Sequence, residues 1–299
     1  MINKLALTRP NLPKPNLDNL DFFQKSFSNA RLEKYFKAVF QSDKTEHENL
    51  KKAMQLYQIN MIYCESLYPS LHTLEIALRN RIDINLTGKY QSNWFICSTN
   101  FFSESIYKLE KKGNLNIIIP SNSSTILLEQ EEEKIIFSLQ DVIKNQNEKY
   151  KFRDIEFFKI AENRDQIIAN LSLGFWIAIL TKPKYLENVF KPCVKTIFSN
   201  AKNSEHNIRI IEPILKRIQK LRNRIFHHEP IIWEYYDIEQ RYQDIYRVIQ
   251  WIDPKLEIWL KYDSKIDRFP DIYQNLSEEV KMLTRKNITK KIQYQDRSR

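Results

Sequence analysis

Apolar positions recur along much of this chain at intervals of three and four residues, which is the spacing of one face of an α-helix. A clear stripe runs from residue 69 to residue 88, where Pro69 and Gly88 are expected to begin and end a helix. Earlier stripes predict one or two short helices from Phe22 onward and another that reaches Cys64. The pattern predicts an all-α fold.

Two later segments are also predicted to be helical. Residues 171–180 are apolar on nearly every face, which predicts a central core helix that ends before Pro183. A second stripe predicts a helix of about 16–20 residues, because Pro213 suits a first turn and Pro230 disfavours helix at Glu229. The members of that stripe are Ile211, Ile214, Leu215, Ile218, Leu221 and Ile225.

Prolines and polar runs suggest the domain boundaries. Three prolines within residues 1–20 predict an extended arm. Residues 21–276 are predicted to form a single helical domain, and 111–127 a loop insertion with a short strand at 117–119. Residues 277–299 are predicted to form a basic tail.

Composition supports helices and suggests an anionic partner. The 299 residues include 3 glycines, and a β-rich chain needs more of them for its turns. The net charge of +10 favours a polyanion, most commonly RNA or DNA. Residues 281–299 hold seven basic side chains and one acidic one. This tail is either solvated or follows phosphates, through residues that include Lys286, Lys290 and Lys291.

Other classes of protein and site are disfavoured. The chain has no apolar run near the ~20 residues of a membrane span. Its first residues lack the apolar core of a signal peptide, so we expect a cytoplasmic protein. Cys64, Cys97 and Cys193 are widely spaced and predict buried apolar side chains, not a metal site or disulfides. No cofactor is expected, since the glycines are too few for a phosphate-binding loop.

Residues 222–230, RNRIFHHEP, hold two of the five histidines and lie at the end of the helix predicted from the stripe Ile211 to Ile225. With Leu221 as the direction of the core, His227 projects about 120° and Asn223 about 160° away from it. These two side chains are one turn apart and are predicted to face outward. His228 projects only about 20° from the core direction. It is predicted to be a packed or capping histidine.

The residue types in this segment suit RNA cleavage without a metal. Histidine can transfer protons near neutral pH, and arginine can bind a phosphate with two hydrogen bonds. Such a reaction needs a base for the 2′-OH, an acid for the leaving 5′-oxygen and a cation for the developing negative charge. One helix offers one outward histidine, so two copies facing each other in a dimer would complete the site.

Residues 222–227, RNRIFH, resemble the RNxxxH form of the R-x4-6-H motif of the HEPN superfamily. The longer run 221–231 is similar to the AbiD/AbiF-like (Abi-like) abortive-infection branch of that superfamily. Two further stretches fit the branch, namely 74–82 (LEIALRNRI) and 171–176 (LSLGFW). The resemblance covers about residues 70–260.

The resemblance implies a HEPN-like helical bundle with additional helices and a homodimer in which the motif helices face each other. It also implies a metal-independent endoribonuclease in bacterial antiphage defence, in some members with a small noncoding RNA. Arg222 and His227 would be the catalytic pair. Asn223 would orient the histidine or contact phosphate, and His228 would be an accessory residue. Arg224 is expected to bind RNA.

Residues 78–82, LRNRI, repeat residues 221–225 letter for letter. The position equivalent to His227 holds Ile84, so this copy lacks a proton-transfer group. The complete site should therefore need a second chain. Glu75 and Arg79 are one turn apart, which favours a structural ion pair. Contacts of Arg79 and Asn80 with RNA or with the motif helix are the alternative interpretation.

Two alternative functions remain open from the sequence. In the first, the arginine-rich helix grips a structured RNA and cleaves nothing, so that binding weakens steeply with salt. In the second, the chain is a structural helical dimer whose motif helix is simply the interface.

Overall fold

The protein is mostly helical over the residues that the structure, a computed structural model, describes. These residues are 26–39, 45–90, 94, 95, 106–109, 115–117, 134, 135, 137, 138, 141, 142, 145, 157–233 and 237–284. The helical class predicted from the sequence is confirmed. The extended arm predicted for residues 1–20 lies outside the described part of the chain.

Several α-helices have described bounds. They are α1 (Asn29–Ala38), α2 (Glu46–Tyr90), α3 (Ile160–Asn170), α4 (Leu173–Thr181), α5 (Lys191–Ile197), α6 (Ile208–Phe226), α7 (Ile238–Ile252), α8 (Pro254–Ile258) and α9 (Phe269–Thr284). Short 3₁₀ or π-helical turns occupy Pro183–Tyr185, Leu186–Phe190, Asn203–Glu205 and Trp259–Asp263.

A small antiparallel sheet accompanies the helices. Its strands are β1 (Ile106–Leu109), β2 (Leu115–Ile117) and β3 (Phe157–Lys159), in the order β2-β1-β3. Tyr107 of β1 lies opposite Ile117 on one side and Phe158 on the other. The strand predicted for residues 117–119 overlaps β2 at Ile117 only, and residues 118 and 119 lie outside the described ranges. The sheet as a whole was not predicted, because strands this short carry little alternation.

The long helix α2 corrects the prediction of a helix boundary at Pro69. The helix runs without interruption through Pro69 and continues past Gly88 to Tyr90. Proline inside a helix removes one backbone hydrogen bond and costs about 3 kcal/mol, so packing of the residues before and after Pro69 must offset that cost. The leucines 67, 71 and 74 are all buried, so the apolar stripe passes through the proline position.

The chain divides into two compact units. The motif unit, named for residues 222–230, comprises Met1–Leu71, Leu221–Gln243 and Trp259–Arg299. The central unit comprises His72–Lys220 and Asp244–Ile258. The single domain predicted for residues 21–276 stays a prediction.

Aromatic rings form much of the core of the motif unit. The ring of Tyr35 in α1 lies 5.2 Å from that of Tyr57 in α2 and 5.5 Å from that of Trp233. The ring of Phe269 in α9 lies 6.0 Å from that of Tyr63 in α2. Segments far apart in sequence therefore converge on the first half of α2.

The core of the central unit is built around α4. Its Trp176 is fully buried, and the ring centroid lies 6.0 Å from that of Trp94. The Trp94 indole N–H donates to Asp83 Oδ1 (2.8 Å), and Arg164 Nη2 donates to the same oxygen (2.5 Å). The prediction of a central core helix over residues 171–180, with Pro183 after its end, is confirmed.

The first residues of the predicted basic tail are helical, and the tail itself stays a prediction. Helix α9 extends to Thr284, so residues 277–284 are helical and its Val280 is buried. The predicted phosphate-binding residues Lys286, Lys290 and Lys291 lie outside the described part of the chain. No helix in the described ranges is both long enough and apolar enough to cross a membrane.

The two described cysteines are free thiols. Cys193 is buried, as predicted, and Cys64 is half-buried. Burial raises the pKa of the Cys64 thiol to about 12 and also raises that of Cys193. Both sulfurs are therefore protonated and poorly nucleophilic at neutral pH. Cys97 lies outside the described residues.

Candidate active site

The motif lies at the end of α6, but the predicted bounds of this helix are wrong, because it begins at Ile208 and Pro213 therefore lies inside it and not in its first turn. All six predicted stripe residues, from Ile211 to Ile225, are buried. The helix ends at Phe226, so Arg222, Asn223 and Arg224 occupy its last turn and His227 and His228 lie just beyond it.

The helix ends in a Schellman motif with a histidine in the left-handed position. The His228 N–H donates to the Ile225 carbonyl (3.1 Å), and the Glu229 N–H donates to the Arg224 carbonyl (2.7 Å). In a Schellman motif these two bonds form around the first residue after the C-cap, which has a positive φ and is usually glycine. His228 has φ 56°. A side chain with a Cβ atom costs about 1 kcal/mol in that conformation.

Side chains from three helices hold the segment that follows. Arg31 Nη1 in α1 donates to the His228 carbonyl (2.9 Å). Arg224 Nε donates to the Pro230 carbonyl (3.0 Å). Asn60 in α2 accepts a buried hydrogen bond from the Ile231 N–H (2.7 Å). The backbone around the two histidines is therefore braced from both sides of the turn.

Neither Asn60 nor Arg31 was predicted from the sequence to belong to the site. Asn60 is 3% exposed. A polar residue between the buried Ile59 and Tyr63 was a usable signal, because a buried amide needs a partner. Arg31 carried no comparable signal, since an arginine near a helix start is common.

Arg224 has an internal role that the sequence did not suggest. Besides Nε, its Nη2 atom donates to the Pro230 carbonyl, and the guanidinium lies 3.7 Å from the Glu229 carboxylate. The side chain is only 20% exposed. These contacts stabilise the turn, and the expected contact of Arg224 with RNA stays a prediction.

Asn223 and His227 face outward, as predicted. Both are exposed, and the His227 N–H donates to the Asn223 carbonyl (2.9 Å), so they lie one turn apart. The prediction that His228 faces the core is wrong, since this residue is exposed as well. The projection at about 100° per residue holds only inside a helix. The left-handed turn carries His228 away from that direction.

Arg222 stacks on an aromatic ring beside these groups. Its guanidinium carbon lies 4.1 Å from the centroid of the Phe226 ring, a cation–π distance. Arg222 itself is half-buried, while Phe226 is 44% exposed. The end of α6 thus presents a guanidinium, an amide and two imidazoles on a braced turn.

The second LRNRI copy lies in the central unit and makes contacts there. Arg79 Nη1 donates to the Ala169 carbonyl (3.4 Å), and Arg79 Nε donates to Asn80 Oδ1 (3.2 Å). Glu75 accepts from the Leu173 N–H at the start of α4 (3.0 Å). Asn80 is exposed, and so is Ile84, which stands where the complete motif has histidine. Contacts of Arg79 and Asn80 with RNA stay predictions.

Among the described residues, no three histidine, cysteine, aspartate or glutamate side chains cluster in a way that could hold a metal ion. Comparison of the chain with models of protein families, with curated proteins and with solved structures found no match in any of the three.

Replacing His228 by glycine is expected to stabilise the protein by about 1 kcal/mol, because glycine adopts the left-handed conformation without the steric cost of a Cβ atom. His228→Ala is the matched control, since it removes the imidazole and keeps the Cβ. Urea unfolding of both variants beside the wild type measures the difference. Equal stability of the glycine and alanine variants would contradict the strain assigned to this turn.

Proposed function

We propose that this protein is a metal-independent endoribonuclease of HEPN type. The observation that carries the proposal is the end of α6, where the exposed His227 follows Arg222 and Asn223 on a turn braced by Arg31, Arg224 and Asn60. A braced turn suits catalysis, which requires groups held in a narrow range of positions. The resemblance of residues 222–231 to Abi-like HEPN proteins supports the same function.

In the proposed reaction, the 2′-OH of the RNA attacks the neighbouring phosphorus and the bond to the 5′-oxygen breaks. His227 would take the proton from the 2′-OH or give one to the leaving oxygen. Arg222 would stabilise the negative charge of the transition state. Asn223 would orient His227 or contact the phosphate, with His228 as an accessory group. The products would carry a 2′,3′-cyclic phosphate and a 5′-hydroxyl.

The reaction needs two proton-transfer groups, and the complete motif occurs once in the chain. The LRNRI copy has Ile84 in place of the histidine. We therefore propose a homodimer in which two motif helices line one cleft. The net charge of +10 supports RNA as the ligand of that cleft.

The biological setting is proposed from the resemblance. The protein would act in the cytoplasm of a bacterium during abortive infection, and it would cleave RNA to arrest growth. A small noncoding RNA is a further proposed partner, which would restrain or guide the nuclease.

A second candidate function is RNA binding without cleavage. The stacking of Arg222 on the exposed Phe226 favours it, because arginine and aromatic side chains together bind RNA without chemistry. In that case the protein would bind a structured RNA, and its affinity would fall steeply with salt.

The test is to incubate the purified protein with total RNA in EDTA and to analyse the ends of any products. Cleavage that leaves 2′,3′-cyclic phosphates is the expected result. Products with 5′-phosphates, formed only when a divalent metal is added, would overturn the proposal. RNA that stays intact in every condition but is retained on the protein at low salt would favour the second candidate.

A further inference from the structure

Two exposed aromatic rings adjoin each other next to the candidate site. Tyr68 in α2 is 50% exposed and Phe226 at the end of α6 is 44% exposed. Their ring centroids are 6.2 Å apart, and the planes are inclined by 36°. Met61, seven residues before Tyr68 on the same face of α2, is 54% exposed. We call the surface formed by Tyr68, Phe226 and Arg222 the ring patch.

The fold of the motif unit does not require the ring patch. Single exposed apolar residues are common on protein surfaces, whereas exposed apolar groups that adjoin each other are a feature of binding surfaces. The aromatic residues that build this unit, such as Tyr35 and Tyr63, are 1% and 2% exposed. Tyr68 lies on the same helix as Tyr63 and remains half in solvent.

The charges around the ring patch favour an anionic ligand. Arg222 lies over the Phe226 ring, and His227 directly follows Phe226. The nearby Glu65 in α2 is paired with Arg268 at 2.6 Å. In the proposed dimer two copies of Arg222 would face one cleft, where the repulsion between them is relieved when an anion lies between them. A nucleic acid supplies both the anion and flat rings.

We propose that the ring patch is a stacking platform for an unpaired base of RNA, next to the phosphate that Arg222 contacts. The inference rests on the proposed function for its choice of RNA, and it adds a contact of that site, an unpaired base packed against Tyr68 and Phe226. Bases in a duplex are already stacked on both faces, whereas an unpaired base gains from stacking on a protein ring. Every base has such a face, so the platform is expected to distinguish single-stranded from double-stranded RNA but not one base sequence from another.

The test measures binding and stacking separately from cleavage. A single-stranded RNA of about ten nucleotides carries one 2-aminopurine, whose fluorescence is quenched by stacking. It is titrated into His227→Ala protein, which keeps the RNA intact. Adding Tyr68→Ala is expected to weaken binding roughly 5- to 150-fold and to remove most of the quenching. Tyr68→Phe, which keeps the ring, is expected to restore both.

Two controls test whether the effect is specific to Tyr68 and to single-stranded RNA. Tyr262 is 68% exposed and belongs to the same unit, so Tyr262→Ala is expected to leave binding unchanged. A duplex of the same sequence is expected to bind about equally well with and without Tyr68. Because Tyr68 is half exposed, its replacement is expected to leave the thermal unfolding profile unchanged.

Other results would overturn the inference. Single-strand binding and quenching that do not change in Tyr68→Ala would do so. The inference would also be overturned if the Tyr68→Ala protein no longer formed the dimer but bound the oligonucleotide normally. The ring patch would then be a contact between two copies of the chain. The proposed function fails separately. If the wild type cleaves no RNA but the Tyr68 effects appear, the platform stands without the nuclease.

Discussion

His227→Ala protein is expected to cleave RNA in EDTA about 10²- to 10⁴-fold more slowly than the wild type, which is the usual contribution of a positioned acid or base. Arg222 and the rest of the turn would still bind the substrate, so the loss should appear in the rate of the chemical step. Single-turnover cleavage of a labelled RNA at saturating protein measures that rate. His227 is exposed and outside the helix, so its removal should leave the fold intact.

His47→Ala provides the matched control. His47 is also an exposed histidine of the motif unit, but it lies near the start of α2 and has no part in the candidate site. This variant should cleave at the wild-type rate. If His227→Ala cleaved within a fewfold of the wild type, His227 would not be the proton-transfer group.

Arg217→Ala is expected to destabilise the protein by about 3 kcal/mol, since it leaves a buried carboxylate without its guanidinium. The Arg217 Nε and Nη2 atoms donate to the two carboxylate oxygens of Asp244 at 2.6 and 2.8 Å. Asp244 is 1% exposed, and Arg217 is 36% exposed. Hydrogen bonding to Asp244 also raises the pKa of Arg217, which remains charged throughout the accessible pH range.

The adjacent Lys216 serves as the control for this variant. It pairs with Glu212 at 2.5 Å, but its side chain is 63% exposed. Surface pairs of this kind contribute about 0–1 kcal/mol, so Lys216→Ala should unfold in urea almost as the wild type does. Equal losses in the two variants would mean that burial of Asp244 does not decide the stability of this pair.

Local periodicity was sufficient to predict the helices that carry the site. The stripe from Ile211 to Ile225 predicted α6, because a helix that packs on one side must repeat its apolar residues every three or four positions. The same reasoning predicted the buried helix α4 and the outward direction of Asn223, which lies inside α6. These features depend on residues within a few turns of one another, so the sequence by itself determined them.

The turn that presents the histidines was decided only by the tertiary structure. Asn60 meets the Ile231 N–H and Arg31 meets the His228 carbonyl across 171 and 197 residues of sequence. No spacing in the chain marks such partners. Arg224 is a different case, because the Pro230 carbonyl that it meets is only six residues away, and the backbone path of the turn brings the two together. Continuous packing through Pro69 also overrode a local rule. Contacts between distant segments have no period, and they determine how a helix ends and where its last side chains point.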